Sequence, residues 1–232
     1  SALMRIGHDM DQKLTVALLS GGTSTERDVS IAGGNQVYDA LSLNGYRVRR
    51  YDPATDIPRL ISDAPMIDIA MIILHGTGGE DGTVQGLLDL LKIPYQSSGP
   101  LGSAVAMNKL ASKRFYLQAG IPVPAYLSFS AGDRIDIDAC IERLGLPMVV
   151  KPASGGSSIG MDIVRSRERL QAAFDNAFSL DDTLLLEEYI AGTEITGAVL
   201  GNQRLEALPL VEIIQEKHHD FFDYEAKYKK GE

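Results

Sequence analysis

The sequence predicts an α/β protein whose first hundred or so residues form an open, parallel-stranded layer and whose later strands pair antiparallel. Three observations carry this. A buried strand, a helical segment and a second strand follow one another from Leu14 to Pro53, and such a β-α-β unit implies parallel pairing. Another apolar strand and helix follow it. After about residue 183 the strands come in close succession, with Gly201-Asn202 placed as a hairpin turn.

The elements follow in order. "LTVALLSGG" gives a strand from Leu14 to Leu19 that ends at a Gly-Gly turn. "DVSIAGGNQVYDALSLNGY" carries apolar residues at Ile31, Val37, Leu41 and Leu43, with Gly45 as the helix stop. "RVRRYDP" and "MIDIAMIILHG" are strands, and "TVQGLLDLLKIPYQSSGP" is a helix followed by a short strand and a turn. "NKLASKRFYLQAGIPVP" is a helix stopped by Gly120 and Pro122. The strand "YLSFS", a helix near Asp136 to Leu144, the strand "PMVVKP" and the amphipathic helix "RERLQAAFDNAFSL" come next. "TLLLEEYI", "TEITGAVLG" and "QRLEALPLVEI" are three further strands. Boundaries fall near residues 107 and 194, and "IIQEKHHDFFDYEAKYKKGE" reads as a long loop.

Bulk properties narrow the function. The chain has 232 residues, 44% hydrophobic and 23% charged, as in ordinary globular proteins. A formal net charge of −9 leaves no basic excess for general nucleic-acid binding. The single cysteine, Cys140, excludes an internal disulfide framework and suits a reducing cytoplasm. No apolar run approaches the roughly 18 residues of a membrane span. The N-terminal "SALMRIGHDMDQKL" has no signal core and reads as a tail containing a tag remnant.

Five stretches are candidates for chemistry. In "MVVKPASGGSSIG", Lys151 stands before the glycines, where a P-loop lysine would follow them. Small residues at Gly155, Gly156, Ser157, Ser158 and Gly160 let backbone N–H groups approach a phosphate, and Lys151 would neutralise it; a surface turn with a solvated lysine fits equally. In "TLLLEEYIAGTE", Glu187, the backbone of Ile190 and Glu194 offer an acceptor for an adenine amine, a donor for its ring and a grip on ribose; the alternative is solvated glutamates. In "GGTSTERD", Thr23 and Glu26 have capping-box spacing, while a turn at the end of a first strand is also where open α/β sheets bind ligands. Glu26 could then hold a substrate ammonium. "LHGTGGEDG" places His75 first in the loop at another strand end, among charged and small residues that favour a site over a satisfied surface histidine. In "DYEAKY", Lys227 and Tyr228 lie in a loop that is either a lid or a tail. His218 and His219 read as solvated.

Six motifs, "LLSGGTSTERDVS", "LHGTGGEDGTVQG", "MNKLASK", "VVKPASGGSSIGM", "LLLEEYIAGTE" and "DYEAKY", stand in the order and spacing of D-alanine–D-alanine ligases, members of the ATP-grasp superfamily. The resemblance runs from about Leu14 onward. It implies an N-terminal α/β substrate-binding domain (1–107), a central ATP-grasp domain (108–194) and the start of a C-terminal ATP-grasp domain with its lid (195–232). It implies ATP held by Lys109, Lys151, Gly156, Ser158, Glu187, Ile190, Glu194 and Lys227. It implies two D-alanine substrates served by Glu26, Ser157, Tyr228 and His75. The expected activity is ATP-dependent dipeptide formation for peptidoglycan synthesis in the cytoplasm, by a homodimer that binds neither nucleic acid nor membrane. D-serine or D-lactate as second substrate, or a nucleotide-binding fragment without catalysis, are the alternatives. Tyr228 weighs against ester formation. The family pattern continues past Glu232 with a transition-state arginine and the ligands for Mg²⁺ or Mn²⁺. The resemblance therefore implies a truncated chain, inactive as it stands, with no metal ligand among its residues. The segment before the lid motif is also slightly longer than the family's.

Overall fold

A computed structural model describes residues 13–214. The N-terminal tail, His218, His219, Lys227 and Tyr228 lie outside the described residues. The chain divides into two compact units between Ser112 and Lys113.

In the first unit, β1 (Thr15–Leu19), α1 (Arg27–Leu43) and β2 (Arg47–Tyr51) form the expected β-α-β unit. Then come α2 (Ile57–Asp63), a 3-10 turn (Ala64–Met66), β3 (Ile69–Ile72), α3 (Thr83–Leu90), α4 (Pro100–Met107) and the start of α5 (Lys109–Gln118). The sheet order is β2-β1-β3, all parallel, with Leu19 opposite both Tyr51 and Ile72. Central β1 is buried from Val16 to Leu19, as a strand covered on both faces must be. Because the strands are parallel, the loops leaving β1 and β3 emerge at the same end.

Two helices, α2 and α4, are not apparent from the sequence pattern. Each opens with proline in its first turn, which sets φ for a helix but reads as a turn in sequence. The short strand expected after α3 is a single parallel bridge, Ala70 to Tyr95. Gln96 takes over the next pairing with its side chain: its Oε1 accepts from the Ile72 N–H at 2.9 Å and its Nε2 donates to the Ile72 carbonyl at 2.7 Å. The edge of β3 is thus satisfied without more strand.

The second unit holds β4 (Tyr126–Ser130), α6 (Ile137–Leu144), β5 (Met148–Pro152), β6 (Asp162–Val164), α7 (Arg167–Phe178) and β7 (Thr183–Glu188). The sheet order is β4-β7-β5-β6, antiparallel throughout. Strand alternation separates its faces. Met148, Val150, Leu184 and Leu186 point to one side, where they pack with Cys140, Leu170 and Phe174 of α6 and α7 into a closed core. Val149, Lys151, Leu185 and Glu187 point to the other. The face that carries Lys151 and Glu187 is therefore the one away from α6 and α7.

The last two expected strands are each broken in two. β8 (Ile195–Thr196) pairs with β11 (Val211–Glu212), and β9 (Val199–Leu200) with β10 (Glu206–Ala207), around the Gly201 turn. Between the two pairings the returning chain carries one extra residue, and Pro209 in that gap has no N–H to give. No described helix is long and apolar enough to cross a membrane.

Phe174 is only 1% exposed at the centre of the second core. Phe174→Ala is expected to cost roughly 3–5 kcal/mol, read as a lowered denaturation midpoint. An unchanged midpoint would contradict this packing.

Candidate functional site

In the first unit the loop after β1 is held by a clamp. Asp52, just past β2, accepts from the Gly22 N–H at 2.9 Å and from Arg27 at 2.6 Å. Arg27 also donates to the Gly22 carbonyl at 2.5 Å. Beneath it, Ser30 of α1 accepts from the Gly21 N–H at 2.8 Å and donates to the Ile73 carbonyl at 2.5 Å, tying the β1 and β3 loops together. Ser24 adds a bond to the His75 carbonyl at 2.8 Å. Burial alone would push the Asp52 carboxyl up, but the Arg27 guanidinium and the N–H groups of Gly22 and Ala54 outweigh it and hold it below the usual range.

This clamp carries Glu26 into the interior. Glu26 is buried, and its carboxylate lies against Gly76, where an added Cβ would come within 2.8 Å of Oε2. Gly76 also has φ +66°, a second reason for glycine there. The capping-box alternative for Thr23 and Glu26 is not what forms. A turn over Ser24–Arg27 delays the helix, so Glu26 is itself the N-cap and its side chain makes no capping bond. The acidic residues of the β3 loop serve that loop: Glu80 accepts from the Gly76 N–H and Asp81 from those of Gly78 and Thr83. A cavity of about 250 Å³ opens between the two loops, walled by Ile57, Leu74 and Leu87 and rimmed by Ser24 and His75. The sequence thus brings Glu26 and the His75 loop together at one sheet end.

In the second unit the centre is Glu187, which is 5% exposed. The solvated alternative for this glutamate is excluded. Lys151 reaches its Oε2 at 2.5 Å, and Lys113 of α5 reaches its Oε1 at 2.6 Å. The Lys113 ammonium meets Oε1 directly, and a carboxylate oxygen keeps a second lone pair for a further donor. Lys113 was not among the sequence candidates. Its only signal was its place four residues after Lys109 on one helix, which puts the two lysines on one side of α5.

The glycine-serine loop follows β5 directly. Its foot is fixed: Asp181 accepts from the Ser154 N–H at 2.6 Å and from Thr183 at 2.9 Å. Above the foot, φ is positive at Gly155, Ser157, Ser158 and Gly160. Two serines in the left-handed region cost of order 1 kcal/mol each or more, and such outliers gather where a loop clamps a ligand. Ile190 and Glu194 follow β7 and are exposed at their side chains. Lys109 opens α5 behind Asn108, whose Oδ1 caps the Ala111 N–H at 2.8 Å. Lys109 falls in the first unit and Lys151 in the second. Among the described residues no group of three or more His, Cys, Asp or Glu could hold a metal ion.

Comparison with known proteins gives a consistent result. The family models "D-ala D-ala ligase N-terminus" and "D-ala D-ala ligase C-terminus" match residues 52–98 and 115–232. The D-alanine–D-alanine ligase of Syntrophobacter fumaroxidans is 57% identical over 95% of this chain and 71% of its own length. That of Desulfotalea psychrophila is 51% identical over 95% and 69%. Among solved structures, a Bacillus anthracis D-alanine–D-alanine ligase complexed with ATP superposes with a TM-score of 0.76 at 34% identity, covering 88% of this chain and 67% of that one.

The clamp sets a pH signature. The Asp52 carboxyl titrates lower in the folded chain than its unfolded value of about 3.9, so its stabilisation is present above that value and lost as pH falls through the folded one. Asp52→Asn is expected to destabilise at neutral pH, with the gap to the parent closing below about pH 4. A gap independent of pH between 7 and 3, in thermal melts, would contradict the clamp.

Proposed function

The chain belongs to the D-alanine–D-alanine ligase family, and from that premise we propose that it binds ATP on its second unit and D-alanine on its first, and that the complete active site joins two D-alanines. The observation that carries the nucleotide reading is the buried Glu187 held between two lysines on the sheet face from which the glycine-serine loop departs. The carboxylate has lone pairs beyond those the lysines meet, and an adenine amine can donate to one of them. The Bacillus anthracis relative supports the reading, since it was solved with ATP.

The residues divide the work. Glu187, the Ile190 backbone and Glu194 hold adenine and ribose. Lys109, Lys151, Lys227 and the backbone of Gly156 and Ser158 hold the phosphates. Glu26 takes the ammonium of the first D-alanine, within reach of the small cavity after β1 and β3, whose apolar wall suits a methyl group. His75 lies near the reacting carboxylate, and Ser157 and Tyr228 complete the hydrogen bonding to the substrate. The carboxylate of the first D-alanine attacks the γ-phosphate of ATP, forming D-alanyl phosphate and releasing ADP. The amine of the second attacks the acyl carbon, and the tetrahedral intermediate expels phosphate. Positioning and charge neutralisation supply most of such a rate, and exclusion of water protects the acyl phosphate. Mg²⁺ or Mn²⁺ belongs to this reaction in the family, but the described residues offer no centre for it, so no metal step is assigned to them. The product serves peptidoglycan precursor synthesis in the cytoplasm, and the enzyme works as a homodimer.

Lys151→Ala is expected to weaken ATP binding about ten- to a hundredfold, the loss of one charge-assisted contact of roughly 1.5–3 kcal/mol. Calorimetric titration of the purified chain reads this directly. An unchanged ATP affinity would remove Lys151 from the phosphate site.

A further inference from the structure

Glu187 carries one negative charge and faces two ammonium groups, so the group as a whole is formally +1. Its members are not equivalent. The Lys113 side chain is 8% exposed and that of Lys151 20%. The Lys113 ammonium also lies 5.0 Å from the centroid of the Tyr126 ring. Tyr126 stands directly opposite Glu187 in the β4–β7 register, with Val149 opposite it on the other side. Lys113 is therefore held from two sides, by a ring face and by a carboxylate, and it is the inner cation.

A lone buried Lys–Glu pair has no net charge to offer an anion. A second lysine changes that balance. We propose that Lys113 is a positioning residue for nucleotide binding: it neutralises Glu187 from the inner side, so that Lys151 presents an uncompensated positive charge to a phosphate while Glu187 keeps its orientation. This rests on the nucleotide reading above. A purely mechanical role, tying α5 to the sheet, would affect every part of the nucleotide alike. The charge role affects the phosphates selectively.

The test compares adenosine and ADP binding by calorimetry, without added metal, in the full chain and its variants. The readout is the ratio of the two affinities. Lys113→Met leaves Glu187 to Lys151 alone and is expected to lower the ADP-over-adenosine ratio about tenfold. Lys113→Arg, which keeps the charge, holds it near the parent value. Glu187→Gln frees both ammonium groups and raises the ratio, even as adenosine itself binds less well. Lys113→Met with Glu187→Gln removes the buried charge pair and returns the ratio to within about threefold of the parent. The double variant and Glu187→Gln carry the test if Lys113→Met alone does not fold. Equal weakening of adenosine and ADP in Lys113→Met, or no rise in Glu187→Gln, overturns the proposal while leaving nucleotide binding intact. A parent chain that binds neither ligand overturns the nucleotide reading itself, and the proposal with it.

Discussion

One buried carboxylate organises the second unit. Taking Glu187 out of water costs several kcal/mol unless its charge is met, and here two lysines from different elements meet it. That requirement fixes much else. α5 must lie over the sheet face opposite the α6–α7 core to deliver Lys113. β5 must end where Lys151 reaches across to β7. The glycine-serine loop then has to leave β5 beside the same charge. Removing one partner of such a group is more costly than never having built it, because the remaining charges stay buried.

The first unit solves a related problem with different means. The carboxylate of Glu26 is buried by the loop that bears it, and the loop is held by Arg27, Asp52 and Ser30. The parallel sheet makes this possible. Loops from β1 and β3 leave at one end, so a serine hydroxyl on α1 can bridge both. Loop residues positioned by a rigid sheet are the common arrangement for sites in open α/β layers.

Much of this was legible because strong local signals agreed with the fold. The β-α-β unit, the antiparallel later strands and the Gly201 turn follow from apolar periodicity and turn chemistry. The motifs around Glu26, His75, Lys151 and Glu187 marked strand ends. What was missed has physical reasons. α2 and α4 begin with prolines that look like turns. The strand after α3 gave way to a glutamine side chain. Pro209 split the final hairpin. Lys113 and Asp52 were invisible for another reason: each acts through a partner 74 or 25–30 residues away, and sequence spacing does not show such contacts. In sequence Glu187 is equally a solvated residue or a ligand contact, and only the fold reveals that it is buried between cations.

The central claim is that the Glu187 group and the glycine-serine loop form one nucleotide site. A crystal structure of the chain with a non-hydrolysable ATP analogue tests it most directly. The account predicts the adenine amine within hydrogen-bond distance of Glu187 Oε1 and the phosphates against Lys151 and the 155–160 loop. An analogue bound elsewhere, with no nucleotide atom within hydrogen-bond distance of Glu187, would contradict it.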